Sequence, residues 1–468
     1  MFDIQRLKRQ FVGDRAFYRT VLGIVLPIIV QMSVTNFVNL LDNIMVGQLG
    51  TAELSGVAIG NQLLFVLTIC LFGGMSGPSI FSAQFFGAND MEGVRNSLRL
   101  KLWTGFALFI LFCGIFLSFG PQLVGTYLTG DGDPAAAALM MEHALDYVHI
   151  MLIGYVPLVI SFSLSSTLRE SGETILPMKA GIAAVLTNLV GNYLLIFGNF
   201  GFPKLGVQGA AIATVLSRFV EMAIVLQAAR RGSRFAFLHG VLRTMRLPWQ
   251  FVKSVHKKGA PLLANEVLWS VGMATLAQIY SLRGLDVLAA YNIANVVNQV
   301  FIVLFLSVGN AVAIMVGQHL GADRHAEAKQ TAWRLMALGV SLCVVVGAVM
   351  AVASPYIPLL YNTTENVRHL ATQFILTLAV FMPMYSVSHA SFFTLRSGGS
   401  TLLTFLFDSA YMWVIHIPIA LALAHWTDMP ITVLFPLCEA IGILKMLFGL
   451  HLLRSGRWMR NIVATQAT

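Results

Sequence analysis

Apolar residues in this chain run in long unbroken stretches and not as one stripe along each helix. The stretches lie near residues 17–47, 54–86, 101–128, 139–165, 174–198, 206–228, 259–282, 288–318, 333–358, 368–394, 400–424 and 429–453. About 20 apolar residues cross the hydrocarbon core of a bilayer as an α-helix. Lipid supplies no hydrogen-bond partners, so a spanning segment must satisfy its own backbone, and helices are expected in place of loops or open sheets. The pattern predicts an all-α polytopic membrane protein with twelve transmembrane helices. The expected divisions are a tail at 1–16, a first lobe at 17–228, a basic loop at 229–258, a second lobe at 259–454 and a second tail at 455–468.

Composition agrees. Of the 468 residues, 57% are hydrophobic and 11% charged, and the mean hydropathy is +0.76. A soluble surface needs more charge. Nothing resembles a cleavable signal peptide: Arg6, Lys8, Arg9, Arg15 and Arg19 lie on an amphipathic stretch before the first span. Cys70, Cys113, Cys343 and Cys438 fall within apolar runs and read as small buried hydrophobes.

The net charge of +9 has a topological explanation. With the connections numbered by these spans, 25 of the 30 Lys and Arg fall on one side, including Arg95, Arg99 and Lys101 in the 2–3 loop and eight in the 6–7 loop. Lys204, Arg283 and Arg368 fall on the other side, and Arg218 and Lys445 lie inside spans. The positive-inside rule then makes both termini cytoplasmic, in a cell (inner or plasma) membrane. No nucleic-acid partner is needed to account for the charge. The basic 6–7 loop serves as a topology determinant and has the chemistry to meet anionic lipid headgroups.

The halves repeat. At a shift of 234 residues Pro27 falls on Pro261, Gly50 on Gly284, Asn61 on Asn295, and Gln84 with Gly87 on Gln318 with Gly321. At a shift of 227, Leu168-Arg169 with Gly172 falls on Leu395-Arg396 with Gly399. Six spans per half orient both halves alike. Two six-helix bundles related by a pseudo-twofold axis along the membrane normal are expected, an arrangement characteristic of transporters.

Polar groups inside spans carry the mechanistic information, because a carboxylate in the bilayer is costly. Asp42 lies six residues before Gln48, about 9 Å from the outer turn at about 1.5 Å per residue. Asn188 and Asn192 are one turn apart in span 5, and Thr214 lies in span 6 at matching depth. These four oxygen-bearing side chains suit Na⁺, which needs an oxygen cage with one negative charge, or a proton on Asp42. The asparagines also have the chemistry of interhelical hydrogen-bond partners. In the second half Glu266 and Asp408 lie at similar depth, with Asn265, Tyr385, His389 and Tyr411 as companions. They form a second candidate, a substrate or proton site. Arg218 with Glu221, and Glu439 with Lys445, read as charges near helix ends.

The whole chain resembles the MATE family (multidrug and toxic compound extrusion), close to its NorM-like bacterial branch. The resemblance rests on Pro27, Gln31, Asp42 with Val46-Gly47-Gln48-Leu49-Gly50, Gln84 with Gly87, and Leu168-Arg169-Glu170-Ser171-Gly172. Asn188, Asn192-Tyr193, the stretch Gly206-Val207 to Thr214, and Glu266 after Pro261 complete it. It implies two six-helix bundles in a V and export of organic cations and xenobiotics against Na⁺ or H⁺ by alternating access. It carries the coupling site onto Asp42, Asn188, Asn192 and Thr214, and the span-7 acid onto Glu266. That branch often has an aspartate in span 10, where this chain offers Tyr385 and His389, so second-lobe coupling stays open. No cofactor beyond the coupling ion, and a monomer, are expected.

Other classes fit less well. A flippase for a lipid-linked sugar would hold its diphosphate with a cationic stripe, and the first-half spans carry Arg218 alone. His-Glu-x-x-His, Gly-x-Ser-x-Gly and phosphate-loop motifs are missing from the sequence, which argues against a membrane enzyme or ATP-driven pump.

Overall fold

The computed structural model describes residues 10–128, 134–231, 238, 240–241 and 244–464. Arg6, Lys8, Arg9, Arg234 and Arg243, and the side chains of Arg230 and Arg231, lie outside the described residues. Among the described residues twelve helices are long and apolar enough to cross a membrane. In the first half they are α1 (Arg15–Gly47), α2 (Thr51–Gly87), α3 (Met91–Gly125), α4 (Pro134–Glu170), α5 (Ile175–Phe197) and α6 (Gly206–Arg231). The second half contains α7 (Trp249–Ser281), α8 (Leu285–Gly321), α9 (His325–Ala353) and α10 (Glu365–Ser397), then α11 (Thr401–Trp426) and α12 (Ile431–Ser455). Leu22, Phe37, Ile110, Val190, Val345 and Val414 are exposed apolar positions, as hydrocarbon-facing helices require.

Several helices outrun their apolar stretches, because polar backbone outside hydrocarbon is free to continue a helix. One expectation is corrected by this. Arg95, Arg99 and Lys101 stand on α3 and not in a loop. Lys101 is fully buried and donates to Glu170 on α4 at 2.6 and 2.8 Å, and to Ser166 and Thr167 at 3.0 Å. Arg99 donates to Glu92 at 2.7 Å and to the Val241 carbonyl at 3.1 Å. Both cations are held by partners, as buried charges must be.

The chain divides into two compact units. One comprises Val30–Ser82 and Met91–Lys253; the other comprises Met1–Ile29, Ala83–Asp90 and Ser254–Thr468. The start of α1 thus packs with the second half. Phe11 meets Trp333 edge-on at 5.7 Å, and the Arg334 guanidinium lies 5.5 Å over the Phe17 ring.

Residues 83–90 join that unit through a reciprocal contact. A Cβ on Gly87 would lie 2.0 Å from the Gln318 carbonyl oxygen, and a Cβ on Gly321 1.9 Å from the Gln84 carbonyl oxygen. The two repeats interlock here at equivalent positions, backbone against backbone. Both helices end with the same closure. Asn89 and Asp323 take the left-handed conformation (φ 59° and 57°), which short polar side chains tolerate. The next amides, of Asp90 and Arg324, return to the carbonyls of Phe85 and His319, each at 2.9 Å.

Gln84 also anchors the residues after α12. Its amide nitrogen donates to the carbonyls of Ser397 and Arg460 at 2.8 and 3.1 Å, and its oxygen accepts from the Ile462 amide at 2.9 Å. Trp458 is buried, and its carbonyl occupies the place of a Cβ on Gly398.

The interlock makes a testable prediction. Gly87→Ala and Gly321→Ala each force a methyl into a carbonyl that cannot rotate away, and each should cost about 1–3 kcal/mol. Gly114→Ala, where a Cβ meets nothing within 4 Å, should leave stability nearly unchanged. Thermal unfolding of the three purified variants in detergent checks the contrast; equal melting would show that the helix ends separate freely.

Candidate ion-coupling and cargo sites

In the first half, close helix approach assembles the site. A Cβ on Gly209 of α6 would lie 2.4 Å from the Leu195 carbonyl of α5, and one on Gly191 would lie 2.8 Å from the Ala213 methyl. On α1, Gln31 occupies the space beside Gly181, where a Cβ would lie 2.6 Å from its amide nitrogen. Small residues therefore let α1, α5 and α6 approach until their polar side chains meet, as they do in lipid-embedded packing generally. Asn188, Gly191, Asn192 and Leu195 form one face of α5.

The four predicted residues come together there. Asn192 donates to Asp42 Oδ1 at 2.6 Å. The Asn188 amide satisfies its neighbours when its nitrogen faces Asp42, 3.0 and 2.9 Å from the two carboxylate oxygens, and its oxygen faces Thr214 Oγ1 at 3.0 Å. Thr214 also reaches the Ala210 carbonyl at 3.0 Å, so its single proton serves two acceptors in turn. Asn188 and Asn192 are both buried, and Asn192 Oδ1 has no hydrogen-bond partner among the described residues. One carboxylate and several rotatable amide and hydroxyl oxygens have the chemistry to hold a monovalent cation or a proton. One turn beyond Thr214, Arg218 pairs with Glu221, three residues on, at 3.4 Å.

In the second half a cavity of about 180 Å³ is walled by α7, α8, α10, α11 and α12. Asp408, Tyr385, His389 and Tyr411 line it, whereas Asn265 and Glu266 do not. Asn265 stands behind Asp408 and donates to its Oδ2 at 3.0 Å. Its oxygen takes the Ser409 amide at 3.2 Å and the Ser409 hydroxyl at 2.8 Å. The helix is π-wound over Leu406–Ala410 and Met412–His416, and Asn265 meets it at Ser409. Such bulges often mark functional segments. His389 Nδ1 lies 2.9 Å from the Tyr385 carbonyl, and its ring stacks on Phe305 at 5.0 Å. Glu266 is half-buried, 3.9 Å from Arg396.

The reading of Glu439 and Lys445 as helix-end charges is corrected. Both stand well inside α12 and both line the cavity. They do not pair with each other. Lys445 donates to Asp408 Oδ1 at 2.5 Å and lies 5.3 Å over the Phe407 ring, while Glu439 accepts from the Tyr385 hydroxyl. The spacing of six residues, off the i,i+3 and i,i+4 neighbours of a helix surface, was the signal against a direct pair.

Comparison with known proteins adds the family. The MatE family matches residues 27–194 and 261–422, two segments that begin at the repeated prolines Pro27 and Pro261. The chain belongs to the MatE family. Among its relatives, the probable multidrug resistance protein NorM of Thermotoga maritima is 24% identical over 443 residues, covering 91% of this chain and 89% of that protein. The probable multidrug resistance protein YoeA of Bacillus subtilis is 24% identical over 449 residues, covering 93% of each. A solved outward-facing multidrug resistance MATE family transporter shares the fold with a TM-score of 0.84 at 20% identity, covering 98% of this chain and 99% of that one. The resemblance read from the MATE motifs is thereby borne out, and with it the twelve-helix membrane fold.

The Asp408–Lys445 pair carries a prediction for this MATE protein. Lys445→Met strands a buried carboxylate and should cost about 3 kcal/mol. Adding Asp408→Asn should restore most of that loss. Chemical unfolding of the wild type, the single variant and the double variant measures the coupling; additive losses would mean that the two groups do not act as a pair.

Proposed function

We propose that this chain is a multidrug efflux antiporter of the cell membrane, a transporter and not an enzyme. In this reading it exports organic cations and other xenobiotics in exchange for Na⁺ or H⁺, as a monomer with both termini cytoplasmic. Membership of the MatE family and NorM-like relatives named for multidrug resistance support the efflux part. The observation that carries the coupling part is the convergence of Asn188, Asn192 and Thr214 on Asp42, the carboxylate of α1.

The proposed cycle follows from the chemistry of that cluster. With no ion present, Asp42 keeps its charge on the amide donors of Asn188 and Asn192. An entering proton binds Asp42 directly and cancels the charge. An entering Na⁺ draws the amide oxygens round towards itself, and Asn192 Oδ1, buried without a partner among the described residues, favours such an ion. In both cases the amide donors lose their anionic acceptor and the three helices are rebalanced. Exchange arises if ion and cargo prefer different conformations, which is the requirement for coupling.

Transport of a fluorescent organic cation in proteoliposomes, with a Na⁺ or an H⁺ gradient imposed separately, tests this reading. One gradient should drive transport in the wild type, and Asp42→Asn should reduce the driven component roughly tenfold or more, within the usual range of coupling. Folded wild-type protein that moves the cation under neither gradient would reject the antiport reading and direct attention to lipid-linked sugar flipping.

A further inference from the structure

The packed pair α7 and α11 ends in a group of cations that neither the coupling cluster nor the cavity uses. The two helices run side by side in step. The Ser409 hydroxyl donates to the Asn265 carbonyl at 2.9 Å, and Trp413 donates to the Leu268 carbonyl at 3.0 Å. A Cβ on Gly272 would lie 2.6 Å from Met412 Sδ. Towards Lys258 the pairing reaches the turn before α11, where the Lys258 amine donates to the Gly399 carbonyl at 3.2 Å. The segment after α12 packs on the same turn. The Trp458 carbonyl fills the Cβ place of Gly398, and the Ile462 side chain fills that of Gly399. Arg460 lies in sequence between these two contacts, and Lys258 is within electrostatic reach of both Arg460 and Lys257.

Cations from two segments thus gather at one turn. Lys257 and Arg460 are exposed and Lys258 is half-buried, and no carboxylate pairs with them among the described residues. Two carboxylates at this end are engaged elsewhere: Asp323 accepts from Asn461 at 2.8 Å, and Glu266 lies 3.9 Å from Arg396. Beyond the cations the exposed surface turns apolar. Lys257, Ala260, Ala264 and Leu268 recur at helical spacing on one face of α7, and all four are exposed. On α11, Leu402 and Leu406 stand one turn apart and are exposed too. Positive charge at the end of an apolar seam complements an amphiphile with an anionic head, because clustered Lys and Arg beside a spanning helix attract acidic headgroups while the hydrocarbon-facing surface takes the chains.

We propose that the seam of α7 and α11 binds one anionic glycerophospholipid, its phosphate held by Lys257, Lys258 and Arg460 and its chains lying along Leu268, Leu402 and Leu406. Under the positive-inside reading this is the cytoplasmic leaflet, the one whose surface potential is negative. The bound lipid joins α7, the turn before α11 and the segment after α12 at one point. It braces the end from which α11 enters its π-wound stretch at Leu406. The inference is independent of the efflux reading, because it concerns what holds the seam and not what is exported.

The test is native mass spectrometry of the full-length protein in detergent, titrated with phosphatidylglycerol or with zwitterionic phosphatidylcholine of the same chains. The wild type should bind one phosphatidylglycerol about tenfold or more tightly than phosphatidylcholine, as expected where several cations meet one acidic headgroup. Lys257→Gln and Arg460→Gln should each weaken that binding about fivefold, and together roughly twenty-fivefold. Lys329→Gln, which removes a cation of α9, should leave it unchanged. Glycerol phosphate, the same head without chains, should compete poorly. Equal binding of the two lipids would overturn the proposal and leave an apolar seam. Full competition by glycerol phosphate would overturn it and leave a plain anion site. Unchanged binding in the Lys257 and Arg460 variants, or an equal loss in Lys329→Gln, would overturn it and leave a diffuse basic surface. The substituted side chains are exposed, and the two wild-type comparisons decide the matter even if a variant fails to fold.

Discussion

Hydrocarbon accepts no hydrogen bonds, so each polar group inside the membrane must find its partner in the protein. That constraint shapes this chain from backbone to site. Among the described residues twelve spanning helices close their own ladders. Where α11 becomes π-wound, the Asn265 side-chain oxygen accepts from the Ser409 amide and hydroxyl. Lys101 is buried only because Glu170, Ser166 and Thr167 surround its amine. Asp408 is buried against Lys445 and Asn265 on two other helices.

Satisfying such groups requires helices to approach closely, and small residues permit it. Gly191 and Gly209 bring α5 and α6 together where Asn188 and Thr214 meet. Gly87 and Gly321 do the same for the ends of α2 and α8, where each carbonyl fills the space that a side chain would need. The glycines and the polar residues thus form one device: the first sets the distance and the second uses it. The same logic explains why Gln84 can bind the carbonyls of Ser397 and Arg460 and the amide of Ile462 at once.

The two halves repeat one another in backbone geometry and differ in chemistry. The caps at Asn89 and Asp323 are equivalent in conformation and hydrogen bonding. In the first half, however, Asp42 faces neutral amides. In the second, Asp408 faces a lysine, and a further carboxylate, Glu439, accepts the Tyr385 hydroxyl. A neutral shell leaves a carboxylate available to an incoming ion, whereas a lysine already supplies its counter-charge.

Much was legible in the sequence, because some properties depend on distance along the chain alone. The length of apolar runs determined the twelve helices, and the 234-residue shift determined the repeat. Rise per residue placed Asp42, Asn188, Asn192 and Thr214 at one depth, and the structure brings these four together. Azimuth and partner choice were not legible. Depth arithmetic grouped Glu266 with Asp408, yet Glu266 faces Arg396 and lies outside the cavity. It left Glu439 and Lys445 as helix-end charges, and both line that cavity. The sorting of cations by connection placed Lys101 in a loop, and the side chain is buried. Which residue a buried charge meets depends on the rotation and packing of neighbouring helices, and those are set by side-chain contacts between segments distant in sequence. The chain by itself therefore determined span, repeat and depth, while tertiary packing alone decided which charges are paired and which polar side chains line one cavity.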